Sequence, residues 1–125
     1  MNSGEITVVS NGGGRLHGRF TPAIKRENFH RLFAGVRQLA LAGKATELLI
    51  DASAYQEKMG VLQRLQMILA FVASLRGYRV AGVISETNID PQRLGETMAR
   101  NRGANVKVFT TVPAALAWLG WDKRD

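Results

Sequence analysis

From Arg15 onward, short apolar runs with strand character alternate with segments of helical periodicity. A chain patterned in this way buries all of its apolar faces as a largely parallel sheet covered by helices, because each parallel connection needs a crossover. Ile6-Thr7-Val8-Val9 and Arg15-Leu16-His17-Gly18-Arg19-Phe20 flank Asn11-Gly12-Gly13-Gly14, which predicts a tight hairpin. Leu16, Gly18 and Phe20 then fall on one face and Arg15, His17 and Arg19 on the other, a small basic stripe. Thr21-Pro22 reads as an N-cap with a first-position proline, followed at helical spacing by Phe29, Leu32, Phe33, Val36, Leu39 and Ala40 as far as Gly43. Leu48-Leu49-Ile50 is the third strand, and a second helix is expected from about Lys58 to Arg76. Residues 78–84 form the fourth strand, Asp90-Pro91 opens a third helix that Gly103 ends, Val106-Lys107-Val108-Phe109 is the fifth strand, and residues 111–119 make a last helix with Leu116 and Leu119 turned inward. The order ββαβαβαβα defines an α/β fold with a five-stranded mixed sheet, four strands parallel and one antiparallel at the edge, in which residues 47–51 and 79–85 are parallel neighbours.

At 125 residues the chain is read as one domain, 1–125, with its core between about 5 and 120. The absence of cysteine excludes a disulfide framework, a thiol nucleophile and a Cys-ligated zinc site. Met1-Asn2-Ser3-Gly4-Glu5 has no basic segment leading into an apolar run, so no secretory signal is expected. The longest apolar stretch, Met59 to Leu75, is broken by Gln63, Arg64, Gln66 and Ser74 and falls short of a membrane span. These features predict a cytoplasmic protein that is not integral to a membrane. A net charge of +7, with 12 arginines among 17 basic residues, favours anionic partners. The basic residues are scattered and few aromatics alternate with them, so nucleic acid is disfavoured.

The glycine run at 12–14 lacks the Gly-Lys-Ser/Thr ending of a phosphate loop and leads into a strand, which favours a turn. Asp51, at a strand end, lacks the acidic pair that a phospho-accepting aspartate needs for magnesium, and is expected to bind backbone N–H groups of the following loop. His17 and His30 have no partners spaced for a metal, and Ser53 has no nucleophile elbow around it. No catalytic residue, metal or cofactor is assigned, and the chain is read as non-enzymatic.

Two further segments complete a broader pattern. Residues 47–62 pass from a strand ending in Asp51 through a polar loop into an apolar helix, and the chain ends in Val-Lys-Val-Phe-Thr-Thr-Val-Pro-Ala-Ala-Leu-Ala-Trp-Leu at 106–119. With Arg79-Val80-Ala81-Gly82-Val83-Ile84-Ser85, these segments resemble the STAS superfamily, and within it SpoIIAA-like (STAS/CRAL-TRIO-like) bacterial proteins, over about residues 5–120. In the anti-sigma factor antagonists of that superfamily, a serine opens the helix after the loop, and its phosphorylation disrupts docking of a partner kinase. Matching Gly60 to the signature glycine puts Lys58 in the place of that serine, which implies the scaffold without the phospho-switch. The partner surface implied by the resemblance is Glu57, Lys58, Met59 and Gly60.

The second helix extends that surface. Val61, Leu62, Leu65, Ile68, Leu69 and Val72 are read as its core stripe, leaving Met59, Met67 and Phe71 on another arc for a protein partner, a second copy or an apolar ligand. The loops at the carboxyl ends of the parallel strands gather Asp51, Ser53, Tyr55, Ser85, Thr87, Asn88 and Thr110, where open α/β sheets usually bind ligands. The leading expectation is a regulatory protein-interaction module. The alternatives are a carrier for a lipid or small anionic ligand, as the CRAL-TRIO likeness implies, and a nucleic-acid-binding accessory using Arg15, His17 and Arg19.

Overall fold

The computed structural model describes residues 4–121, so residues 1–3 and 122–125 lie outside the described residues. The strands are β1 (Ile6–Gly12), β2 (Arg15–Phe20), β3 (Glu47–Asp51), β4 (Arg79–Val83) and β5 (Asn105–Phe109). The helices are α1 (Phe29–Ala42), α2 (Val61–Leu75), α3 (Leu94–Asn101) and α4 (Val112–Leu119). One sheet holds the strands in sequence order, β1 antiparallel to β2 and the rest parallel. Residues 47–51 and 79–83 pair in parallel from Glu47 opposite Arg79 to Asp51 opposite Val83, as the alternation predicts.

The β1–β2 hairpin closes through Gly13 and Gly14, both at positive φ (63° and 81°), the conformation a two-residue hairpin loop requires. Asn11 beside it donates from Nδ2 to the Leu39 carbonyl at 3.1 Å, tying the hairpin tip to the end of α1. A register shift between Val8 and Ser10 bends β1, and a bulge of this kind discourages an edge strand from pairing with another chain. At the opposite edge, the outward N–H and C=O of Val108 are occupied by side chains: Glu96 Oε2 accepts the N–H at 3.0 Å and Arg93 donates to the carbonyl at 2.7 Å.

Period-two alternation sorts the sheet residues between two cores. Leu16, Phe20, Leu48, Ile50, Val80 and Val106 face α1, α2 and α3 in the larger one. Four aromatic rings anchor it: Phe33 lies 6.1 Å from Phe20, 6.2 Å from Phe29 and 5.6 Å from Phe71 between centroids. Each such ring contributes about 1.5–3 kcal/mol by leaving water. On the other face α4 covers only part of the sheet, packing Ala115 and Leu119 on Leu49, Ala81 and Val83. Thr111 caps α4 by accepting the Ala114 N–H, and Leu116 is half-buried beside the fully buried Ala115.

Three helices start later than the sequence pattern indicates. Thr21 accepts the Ala23 N–H and donates to Gly4, closing a turn that drops Ile24 into the core, and α1 begins only at Phe29. Asp90 accepts the N–H groups of Gln92 and Leu94 through its two oxygens, but Arg93 between them is left-handed (φ 54°), so α3 begins at Leu94. The second helix starts at Val61 with Gly60 as its cap, Gly60 N–H donating to Gln63 Oε1 at 2.6 Å. Lys58 therefore lies in the loop ahead of the cap and does not open the helix.

Candidate functional site

Between α2, α3 and the sheet lies a cleft of about 440 Å³. Its floor is Ile50, Val80, Gly82, Val106 and Val108 from consecutive strands, and Phe33, Met67, Ile68 and Phe71 wall one side while Leu94, Gly95, Met98 and Ala99 wall the other. That volume lies in the range of about 300–1,000 Å³ typical of small-molecule sites, and an apolar wall with few polar groups is their usual lining. Two local features keep the space open. Gly82 has no side chain to rise from the floor, and a Cβ there would meet only Val108, at 4.0 Å. Helix α3 is eight residues long against fifteen for α2, about 12 Å against about 22 Å, so it covers only part of its neighbour.

The arc assigned to Met59, Met67 and Phe71 turns out differently from the sequence reading. Met59 and Phe71 are 5% and 9% exposed, and Met67 is partly buried, because α1 lies across this side and Phe33 meets Phe71 edge to face. The exposed apolar residues of α2 are instead Val61 (84%), Leu62 (65%) and Leu69, which the periodicity placed in the core stripe. Both faces of α2 are apolar, and the sequence pattern alone does not say which one α1 covers. Met67 and Phe71 nevertheless line the cleft, and so do the half-buried Leu65 and the exposed Val61 at its rim.

The polar loop residues serve mainly to fasten the loops to one another. Asp51, buried, accepts the Ser53 N–H at 3.0 Å and the Ser53 hydroxyl at 2.6 Å, the backbone role expected of it. Asn88, also buried, accepts the Met59 N–H and donates to the Glu57 carbonyl, while Ser85 Oγ donates to the Tyr55 carbonyl. The Tyr55 hydroxyl donates to Glu57 at 3.2 Å. Tyr55 and Asn88 reach the mouth of the cleft, whereas Thr87 and Thr110 are exposed and Glu57, Lys58 and Gly60 form an exposed loop around the buried Met59. A second, polar hollow of about 480 Å³ lies between the Pro22–Glu27 segment and residues 54–57.

Sequence reasoning missed the charged groups at the mouth: Arg64, Asp90, Arg93 and Glu96. Arg93 and Glu96 pair at 2.7 Å, and Asp90 is held below the usual carboxylate range by the N–H groups of Gln92 and Leu94. Arg64 differs from them, since its Nε is buried with no hydrogen-bond partner among the described residues. The available signal was that Arg64 is the one charged residue in Val61–Leu75.

The basic stripe of β2 does face outward, but two of its three members are engaged within the chain. Arg15 stacks 5.4 Å from the centre of the Trp121 ring and Arg19 lies 3.9 Å from Asp51. His17 Nε2 is buried without a hydrogen-bond partner among the described residues, and burial holds the His17 pKa below its ordinary value. Among the described residues no three His, Asp or Glu side chains gather where a metal could sit, and no helix is long and apolar enough to cross a membrane. No protein-family model matches the chain, and no curated protein matches it either.

Proposed function

We propose that this protein is a non-enzymatic binding module of the SpoIIAA-like STAS/CRAL-TRIO type whose α2–α3 cleft takes up a small amphiphilic molecule. The carrying observation is the apolar cleft itself, about 440 Å³ between two helices and a glycine-bearing strand, with Met67 and Phe71 on its wall. A cleft that stays open to water at this size leaves apolar surface unburied, a cost that a bound apolar chain offsets at about 25 cal/mol per Å². Native mass spectrometry of the purified protein, followed by calorimetric titration with decanol, tests the reading. A retained small molecule or saturable decanol binding, lost in Gly82→Leu but kept in Gly82→Ala, is the expected result. Equal binding by both variants with no retained molecule would refute it.

A protein-interaction role for the same module is favoured by one separate observation. Val61 and Leu62 project from the first turn of α2 beside the exposed Lys58, an apolar patch with a cationic edge on the surface that the STAS likeness assigns to a partner. With Lys58 in the loop, such docking would not be switched by serine phosphorylation there. Cross-linking from position 62 tests this role, with capture of a second copy or of one specific protein expected.

A further inference from the structure

We infer that the ligand of the cleft carries an anionic head on its apolar body, held by Arg64, an inference that rests on the cleft being a ligand site. Arg64 lines the cleft, and its guanidinium Nε is shut off from solvent with no hydrogen-bond partner among the described residues. Buried donors of this kind are normally paired, and leaving one unpaired costs more when the group is charged. Its position sharpens the case. Arg64 sits in the first turn of α2, which carries no acidic residue of its own, so its charge opposes the helix dipole.

The other charges at the mouth are already committed. Arg93 bonds to Glu96 and the Val108 carbonyl, and Glu96 also accepts from the Val108 N–H. Asp90 lies close enough to Arg64 for their charges to interact, but its two oxygens accept the backbone N–H groups of Gln92 and Leu94, and among the described residues no carboxylate stands within 4.0 Å of Arg64. A carboxylate or phosphate monoester can supply the paired acceptors that a guanidinium fork matches, and the apolar cleft beyond takes the chain.

The test is calorimetric titration with decanoate, decyl phosphate and decanol, in the native protein and in Arg64→Gln. Anionic probes are expected to bind at least tenfold tighter than decanol, with the preference erased in Arg64→Gln, decanol unchanged and Arg64→Lys intermediate. The ratio between decanoate and decyl phosphate then tells a carboxylate from a phosphate head. Decanol binding as tightly as the anions overturns the anionic head while leaving the cleft as a ligand site. An anion preference that survives in Arg64→Gln overturns the role of Arg64. Failure of all three probes overturns the cleft reading itself.

Discussion

Asn88 fixes Met59 from the neighbouring loop: its Oδ1 accepts the Met59 N–H at 2.9 Å while its Nδ2 donates to the Glu57 carbonyl at 2.9 Å. One buried amide thus sets the path of the chain into α2 and, through it, the rim of the cleft. Asn88→Ala leaves the Met59 N–H without an acceptor and should cost about 1–3 kcal/mol. Urea denaturation measures the loss, and amide exchange at residues 57–60 should quicken in parallel.

The orientation of α2 is open to a direct comparison. Phe71→Ala removes a ring packed edge to face on Phe33 and should cost about 3–5 kcal/mol. Leu62→Ala, at an exposed position, should stay within about 0.5 kcal/mol of the native protein. Similar losses for the two in thermal melts would show that the helix is rotated from the position described.

Gly82 offers a variant with the opposite sign. It lies within a strand, at a backbone conformation open to other residues, and a Cβ there meets no atom closer than 4.0 Å. Alanine should therefore stabilise the fold by about 0.5–1 kcal/mol through the entropy that glycine loses on folding. A raised urea midpoint with an unchanged slope is the expected reading.

His17 gives the fold a pH dependence near neutrality. Burial lowers its pKa, Arg19 lowers it further and Asp51 opposes both. The folded protein thus prefers the neutral imidazole. Stability is full above the unfolded pKa of about 6.5 and declines as pH falls below it, because the unfolded chain takes up the proton first. The decline levels off once pH passes the folded pKa. Urea midpoints between about pH 7.5 and about pH 5.5 should fall less steeply in His17→Gln than in the native protein.

Much of the architecture could be read from residue order. Alternation in Arg15–Phe20 put Leu16 and Phe20 inside and the arginines outside, and that is where they lie, because a strand offers only two faces. Helix starts were harder: Thr21 and Asp90 carry capping chemistry and use it in turns, since Ile24 must reach the core and Arg93 takes a left-handed conformation. The candidate loop residues were visible as a group, but their mutual bonds were not, because partners such as Asn88 and Met59 are 29 residues apart.

What the sequence determined alone is the alternation of strands and helices, the hairpin and the parallel sense of the later strands, since periodicity, glycine at positive φ and the need for crossovers are local or nearly local constraints. Tertiary structure decided which side of α2 is inside and where space was left. Helix α2 is apolar on both faces, so its rotation was set by Phe33 reaching across from α1, and the cleft arose from the short α3 meeting a strand that carries Gly82. Arg64 acquired its meaning in the same way. In the sequence it is one arginine among twelve, and only the packing of three elements around it leaves its Nε buried with nothing to bind among the described residues.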